Sequence, residues 1–208
     1  MVTNNKVELI GYYGGDQVNA CSAWTSTSRT LTDDKKARIP NLLKMLAENG
    51  HETPFEKSTV HFLVDTEIAS HIHLLKHRVS SLNAESARYK ELKEDKFYIP
   101  RDWPIEWQNE LADYTKRGNE LYHQCLKALE EKGISRKRAK ESARFFKTYN
   151  SQIQADVMFN WRSFVNFQKL RNSKDSQVEI REIAAEMLNL VKSIEGNPFQ
   201  HTIAAFNL

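Results

Sequence analysis

The sequence predicts an α+β fold, a single domain in which an antiparallel sheet packs with long helices. Apolar residues alternate with polar ones in some segments and recur at helical spacing in others, so strands and helices are both expected. The 208 residues are enough for one sizeable domain and few for two. No repeat, low-complexity linker or change of composition divides the chain, and residues 1–208 are therefore assigned to one domain.

Local patterns predict the elements of the N-terminal half. Residues 7–12 form a β-prone run that ends at a glycine pair, and residues 36–49 have the apolar spacing of a helix ended by Gly50. Alternation of apolar and polar residues predicts a strand over residues 58–66. Helical spacing then predicts a helix over residues 68–79 that leads into a basic segment.

The C-terminal half is predicted to be mainly helical. A long helix is expected over residues 104–133, and a second begins near Ser135. Alternation predicts a strand over residues 153–159, followed by a helix over residues 162–172. The last helix, over residues 176–194, starts with the capping-box pattern Ser-x-x-Glu.

Two of these helices have an apolar stripe whose members are three or four residues apart. The stripe of the first is Trp107, Leu111, Tyr114, Gly118, Leu121, Cys125 and Ala128. The stripe of the last is Ile180, Ile183, Met187, Leu190 and Ile194. Such a stripe can face another subunit or the chain's own sheet, and its periodicity favours neither.

Composition narrows the class of protein. Hydrophobic residues make up 40% of the chain and charged residues 27%, which is typical of globular domains, and the net charge of +3 is a weak argument for nucleic-acid binding. No apolar run reaches the length of a membrane span, and the N-terminus lacks the apolar segment of a signal peptide. The two cysteines lack metal-site spacing and fit a reducing compartment. We expect a cytoplasmic protein with neither nucleic-acid nor membrane partners.

Cations and hydroxyls are concentrated in one short segment. Lys76, His77 and Arg78 are followed, after seven residues, by Ser86 and then by Arg88. Planar guanidinium groups match phosphate oxygens two at a time, which an ammonium cannot do. The segment therefore predicts an anion-binding site, and a solvated basic turn is the alternative that these residues alone leave open.

A second polar group follows the strand predicted over residues 153–159. It consists of Asn160, Arg162, Asn166 and Arg171. Several of these positions share one face of the following helix, so they can form the polar wall of a pocket. The alternative is that they are ordinary residues of a helix surface.

Three further groupings have simpler interpretations. His51 could transfer protons, but its position after a predicted helix favours a C-cap. The basic run over residues 136–147 could bind nucleic acid, yet it lacks interleaved aromatic residues and is more typical of a solvated helix face. His73 and His77 are spaced for a shared metal, but no third ligand is evident, so no metal site is expected.

The segment at residues 76–88 resembles the signature of the flavin-dependent thymidylate synthase family, which is Arg-His-Arg, seven residues and Ser. Other blocks are similar to that family in the same order along the chain. They cover residues 50–56, 97–100, 143–144 and 160–171. Neither Cys21 nor Cys125 follows a proline, as the nucleophile of the other thymidylate synthase type does.

The resemblance implies the reductive methylation of dUMP to dTMP. Methylenetetrahydrofolate would donate the carbon, and NADPH would reduce bound FAD. The resemblance also implies a homotetramer whose active sites are shared between subunits. Alternatives are a related flavin enzyme that modifies pyrimidine nucleotides differently, for example by hydroxymethylation, and, more distantly, a helical nucleic-acid-binding protein.

The resemblance also assigns residues. FAD would contact Thr53, Lys76, His77, Arg78, Asn160, Arg162 and Asn166. The nucleotide would contact His73, Lys76, Glu85, Ser86, Ala87, Arg88, Arg144 and Arg171. Arg171 would be catalytic and stabilise negative charge on the pyrimidine, because a guanidinium cannot act as a base. His51 and Glu56 would be accessory.

The chain departs from the family pattern at three positions. Lys76 stands where an arginine is expected, His73 where a glutamine is expected, and Ala84 where a glutamate is expected. Lys76 keeps the charge and loses the bidentate fork. The phosphate ligand could be Lys140 or Arg144, and the spacing to the Asn160 block favours Arg144.

Overall fold

The computed structural model of the chain describes residues 1–208 and contains four strands and eight α-helices. The strands are β1 (Lys6–Tyr13), β2 (Thr59–Glu67), β3 (Ser80–Ala84) and β4 (Gln152–Asn160). The α-helices are α1 (Asp16–Ala23), α2 (Asp33–Glu48), α3 (Ile68–Leu75), α4 (Ile105–Glu131), α5 (Arg136–Ala143), α6 (Trp161–Arg171), α7 (Val178–Lys192) and α8 (Gln200–Ala205). Short 3-10 helices span Trp24–Ser26, Thr53–Lys57 and Arg144–Phe146. None of the helices combines the length and the apolar character that a membrane crossing requires.

The four strands form one sheet in the order β1-β2-β4-β3. Strands β2 and β4 are antiparallel, since the Ile68 N–H donates to the Ser151 carbonyl and the Trp161 N–H donates to the Ser58 carbonyl. Residues of β2 are buried alternately, as the sequence pattern predicted. The predictions of an α+β class and an antiparallel sheet are therefore confirmed.

By the density of its contacts the chain divides into two compact units, and the single-domain assignment stays a prediction. The α4 unit comprises Met1–Lys6, Val64–Leu75 and Asn83–Ala155. The α7 unit comprises Val7–Leu63, Lys76–Leu82 and Asp156–Leu208.

The α7 unit has an aromatic core. The rings of Phe62 and Phe164 stack with centroids 5.8 Å apart, and Phe159 lies 5.1 Å from Phe167. Helix α7 buries Ile180, Ile183 and Met187 of the predicted stripe, whereas Leu190 and Ile194 are half-buried. Its buried residues include Ile180, Ile183, Met187 and Val191. Each such side chain contributes about 1.5–3 kcal/mol through burial, so this core holds α6 and α7 in place.

In the α4 unit, helix α4 buries a different face from the predicted stripe. The buried residues are Thr115, Asn119, Tyr122 and Leu126, and the last two pack against Ala139 and Ala143 of α5. Trp107 and Tyr114 of the stripe are 60% and 68% exposed. The buried polar residues are hydrogen-bonded, since Thr115 donates to the Leu111 carbonyl and Asn119 accepts from Lys147. A pattern of apolar residues could not reveal a face that is partly polar.

Other predictions were wrong at element ends. The helix expected over residues 68–79 ends at Leu75, and the polar segment Ser80–Ala84 pairs with β4 as a strand. The expected capping box does not form, because α7 begins at Val178 and the Ser176 hydroxyl donates to the Leu170 carbonyl at 2.7 Å instead. Helices α1 and α8 were not predicted.

Candidate functional site

A cavity of about 470 Å³ lies within the α7 unit. Its lining residues are Glu52, Glu56, Lys76, His77, Arg78, Val79, Arg162, Ser163, Asn166, Leu170 and Arg171. Four of them are lysine or arginine and two are glutamate. The volume is in the range of small-molecule sites, and the excess of cations favours an anionic ligand.

Helix α6 supplies one wall of this cavity. Its first turn is fixed by Asn160, whose side chain accepts from the Ser163 N–H at 2.9 Å. The Ser163 hydroxyl donates back to the Asn160 carbonyl at 3.0 Å. This cap sets the direction in which α6 leaves β4 and so places Arg162 and Asn166, one turn apart, on the cavity side.

Two carboxylates hold the Arg162 guanidinium. Its Nε donates to Glu52 at 3.0 Å and its Nη1 donates to Glu56 at 2.7 Å. The hydrogen bonds to Glu56 and Glu52 raise the pKa of Arg162. The acids therefore orient this guanidinium and neutralise much of its charge.

Arg171 contacts His77 on the same wall. The Arg171 Nε donates to the His77 Nε2 at 3.0 Å. His77 is 8% exposed, and its ring meets the edge of Phe167 with centroids 4.9 Å apart. Because Arg171 can only donate, His77 must accept through an unprotonated Nε2.

Two cations of the cavity have no partner within the chain. Lys76 and Arg78 are exposed, and neither side chain makes a hydrogen bond or an ion pair. Unpaired cations beside a cavity are suited to bind the oxygens of a phosphate or pyrophosphate group. That the basic segment binds an anion stays a prediction.

The predicted phosphate-side residues lie in the α4 unit. The Ser86 hydroxyl accepts from the Arg88 N–H at 3.3 Å, and the Arg88 Nε donates to Glu141 at 3.0 Å. This bond lowers the pKa of the Glu141 carboxyl. The Lys140 ammonium donates to the Tyr89 carbonyl at 2.7 Å. The loop of Ser86 and Arg88 is thus held against α5.

Arg144 follows α5 and is exposed, and its guanidinium makes no hydrogen bond or ion pair within the chain. It lies four residues after Lys140, which is about one helical turn along the chain. The preference for Arg144 as phosphate ligand stays a prediction. Its unpaired guanidinium is available to an anion, whereas Lys140 is already engaged.

The Glu85 side chain makes structural hydrogen bonds within the α4 unit. Its carboxylate accepts from the Gln154 N–H at 3.1 Å and from Lys90 at 2.5 Å, while its own N–H donates to the Gln154 carbonyl at 2.9 Å. The side chain thereby extends the pairing of β3 with β4. A nucleotide contact of Glu85 stays a prediction.

The structure brings together part of the predicted set. Lys76, His77, Arg78, Arg162, Asn166, Arg171 and Glu56 line the α7-unit cavity. Thr53, Asn160 and His51 belong to the same unit and are not among the lining residues. His73, Glu85, Ser86, Ala87, Arg88 and Arg144 belong to the α4 unit. Glu52 was missed, although an acidic residue in the loop at 50–56 was a visible signal.

The basic run at residues 136–147 is largely paired. Arg136 donates to Glu130 and Glu91, Lys140 to the Tyr89 carbonyl, and Lys147 to Asp95. Because these cations are engaged within the α4 unit, the run is not an open basic surface of the kind that nucleic-acid binding favours.

Comparison with known proteins identifies the family. Residues 8–195 match the family model described as thymidylate synthase complementing protein. The chain belongs to this family. The resemblance of the segments around Lys76 and Arg171 to flavin-dependent thymidylate synthases is thereby confirmed.

Relatives from the thymidylate synthase complementing protein family are similar to this chain over most of its length. The flavin-dependent thymidylate synthase of Pseudothermotoga lettingae is 32% identical over 195 residues, which cover 90% of this chain and 85% of the relative. That of Thermosipho africanus is 31% identical over 201 residues, covering 89% and 85%. The fold resembles the solved structure of the UMP/dUMP methylase PolB from Streptomyces cacaoi, with a TM-score of 0.80, 24% identity and coverage of 99% and 96%.

Proposed function

We propose that this protein is a flavin-dependent thymidylate synthase. In the net reaction, dUMP, methylenetetrahydrofolate, NADPH and a proton give dTMP, tetrahydrofolate and NADP⁺. The observation that carries the proposal is the cavity of the α7 unit, in which unpaired Lys76 and Arg78 accompany an Arg171 held by His77. Relatives of the same family are named flavin-dependent thymidylate synthases, and the PolB structure is described as bound with 5-Br dUMP.

The cavity residues fit FAD. Its pyrophosphate needs fixed cations, and Lys76 and Arg78 are two cations without intramolecular partners. Arg162, oriented by Glu52 and Glu56, and Asn166 add donors on the α6 wall. When bound, the flavin would carry reducing equivalents from NADPH to the pyrimidine. Thr53, His77 and Asn160 complete the proposed set of cofactor residues.

Arg171 is proposed to act on the pyrimidine by electrostatics. A guanidinium stays charged at any relevant pH, so it can stabilise negative charge that develops on the ring and cannot remove a proton. Its Nε is engaged by His77, which leaves the remaining N–H groups for the substrate.

The nucleotide is proposed to contact a second group of residues. Those residues are His73, Lys76, Glu85, Ser86, Ala87, Arg88 and Arg144. Arg88 and Arg144 would hold the phosphate, since guanidinium forks match its oxygens. His51 and Glu56 are proposed as accessory residues.

We also propose a homotetramer with active sites shared between subunits. Helix α4 offers an apolar surface for such contacts, because Ile105, Trp107 and Tyr114 are 67%, 60% and 68% exposed. Sedimentation of the purified protein would test this assembly, and a monomer at all concentrations would contradict it.

Tritium release tests the proposed function. Protein is incubated with dUMP tritiated at C5, methylenetetrahydrofolate and NADPH, with and without FAD, and the product is identified by mass. FAD-dependent release with a dTMP product is expected, since the methyl group replaces the C5 hydrogen. A hydroxymethyl product would contradict the proposal and support the related activity, to which the departures at Lys76, His73 and Ala84 point. Absence of release and of flavin binding would refute the proposal.

A further inference from the structure

The bond between Arg171 and His77 joins residues 94 positions apart in sequence. It is the sole hydrogen bond that the Arg171 guanidinium makes within the chain. Any fixed orientation of that guanidinium before substrate arrives therefore depends on His77. Without an acceptor at this position, a long side chain at the rim of a cavity would sample several rotamers.

The imidazole of His77 is itself held in place. The residue is 8% exposed, and its ring meets Phe167 of α6 at an interplanar angle of 75°. The Ser80 hydroxyl donates to the His77 carbonyl at 2.6 Å, which fixes the backbone of the turn that presents the ring. The acceptor is therefore held in place by its contacts before substrate binds.

The direction of the bond sets the protonation state. Arg171 donates, so the His77 Nε2 must be the unprotonated nitrogen and the ring proton must lie on Nδ1. A doubly protonated ring would replace the acceptor by a donor and put a second cation against the guanidinium. The bond thus exists only with neutral His77.

We propose that His77 is the positioning residue of Arg171, which it orients through Nε2 so that the remaining guanidinium N–H groups face the pyrimidine. This inference rests on the proposed function and deepens it, because it gives His77 a second role besides cofactor binding. In this role His77 acts on the reaction through Arg171.

The proposal has a consequence for pH. Turnover falls on the acidic side as His77 takes up a proton, because the guanidinium then loses its acceptor. Other charged groups that line the same cavity are Lys76 and Arg78 next to His77, Arg162 of α6, and Glu52 and Glu56. In a variant whose acceptor cannot be protonated, the acidic decline of turnover that His77 causes should disappear. Any decline that the glutamates cause should remain.

Two substitutions at His77 distinguish the loss of a hydrogen-bond acceptor for Arg171 from a change of side-chain volume. His77→Gln places an amide oxygen where it can accept from Arg171, and we expect its kcat to exceed that of His77→Leu by about tenfold. His77→Leu fills similar space beside Phe167 without an acceptor and should lower kcat by about 10- to 100-fold, the effect of losing one charge-assisted hydrogen bond. Retained flavin absorbance in both variants would show that the cofactor is still bound.

Non-additivity supplies the sharper test. In an Arg171→Ala background, His77→Leu should lower kcat by less than about twofold, because the residue on which it acts is gone. His61→Gln is the matched control, since His61 pairs with Asp156 at 2.5 Å outside the cavity. Equal loss in both backgrounds, or equal loss of flavin in the Gln and Leu variants, would overturn the positioning role.

A spectroscopic readout separates this inference from the proposed function. Nitrogen-15 spectra of histidine-labelled protein at neutral pH should show His77 with an unprotonated Nε2, and the His77→Gln spectrum assigns the signal. A protonated Nε2 would overturn the inference even in an active enzyme. Failure of wild type to form dTMP would refute the proposed function, while the spectra would still decide whether His77 accepts from Arg171.

Discussion

The ammonium of Lys147 lies 2.5 Å from Oδ1 of Asp95, and the lysine side chain is 4% exposed. The same ammonium donates to Asn119 at 2.7 Å and lies 4.5 Å from the centre of the Tyr122 ring. The second oxygen of Asp95 accepts from His123 at 2.9 Å. This network ties the segment before β4 to helix α4 within the α4 unit.

Removal of the Asp95 charge should destabilise the protein. Asp95→Asn leaves Lys147 buried without its counter-ion, so the free energy of unfolding should fall by about 3 kcal/mol. Urea unfolding measures the change. Asp113→Asn is the matched control, because its partner Lys116 is exposed and the loss should stay within about 0.5 kcal/mol. Equal effects of the two substitutions would show that the Lys147 network contributes no more than a surface pair.

The same network predicts sensitivity to acid. Burial acts to raise the pKa of Asp95, but the hydrogen bonds from Lys147 and His123 hold it below its ordinary value. A carboxyl with a lowered pKa in the folded state stabilises above the unfolded pKa, about 3.9, and this stabilisation is lost as pH falls through the folded pKa. Asp95→Asn should therefore flatten the decline of stability below about pH 4.

His71 should cause a second pH dependence. Burial lowers the pKa of His71, and its Nδ1 has no hydrogen-bond partner. Below about pH 6.5 the unfolded chain binds a proton that the folded chain resists, so stability decreases as pH falls. His71→Leu should flatten the unfolding free energy between about pH 7 and pH 5. An unchanged slope in His71→Leu would contradict the assignment.

Substitution of Arg78 should change flavin affinity without changing the stability of the fold. Its side chain lines the cavity and has no partner in the chain, so Arg78→Ala should leave the unfolding free energy within about 0.5 kcal/mol. Flavin affinity should fall about tenfold, because one charge-assisted contact to the pyrophosphate is lost. Fluorescence titration with FAD measures this. Arg38→Ala, at an exposed pair with Asp34, is the control, and unchanged affinity of Arg78→Ala would remove Arg78 from the cofactor site.

Arg144 and Lys140 can be ranked as phosphate ligands. Arg144→Ala should weaken dUMP binding by about tenfold, since its guanidinium is unpaired and suited to phosphate. Lys140→Ala should have a smaller effect because its ammonium already bonds the Tyr89 carbonyl. Calorimetric titration with dUMP measures both. The reverse order would assign the phosphate to Lys140.

Arg171→Ala should lower turnover strongly without loss of flavin. The substitution removes the charge proposed to stabilise the pyrimidine, and a loss of about 100-fold or more in kcat is expected. The protein should still bind FAD, because other residues supply the cofactor contacts. Steady-state activity close to wild type would rule out the catalytic role of Arg171.

Patterns along the chain were enough to locate the elements that depend on neighbouring residues. Alternation located β2 and β4, the glycine at 133 marked the end of α4, and the ordered blocks around Lys76 and Arg171 indicated the cavity residues and the family. Such patterns suffice because helix and strand periodicity act over a few positions.

The contacts between residues far apart in the chain became visible only in the folded protein. Helix α4 buries Thr115 and Asn119 because partners elsewhere in the chain satisfy them, and β3 forms because β4 pairs with it. Arg162 meets Glu52 across 110 positions, and Arg171 meets His77 across 94. A hydrogen bond depends on distance and direction in space, and spacing along the chain specifies neither for residues so far apart.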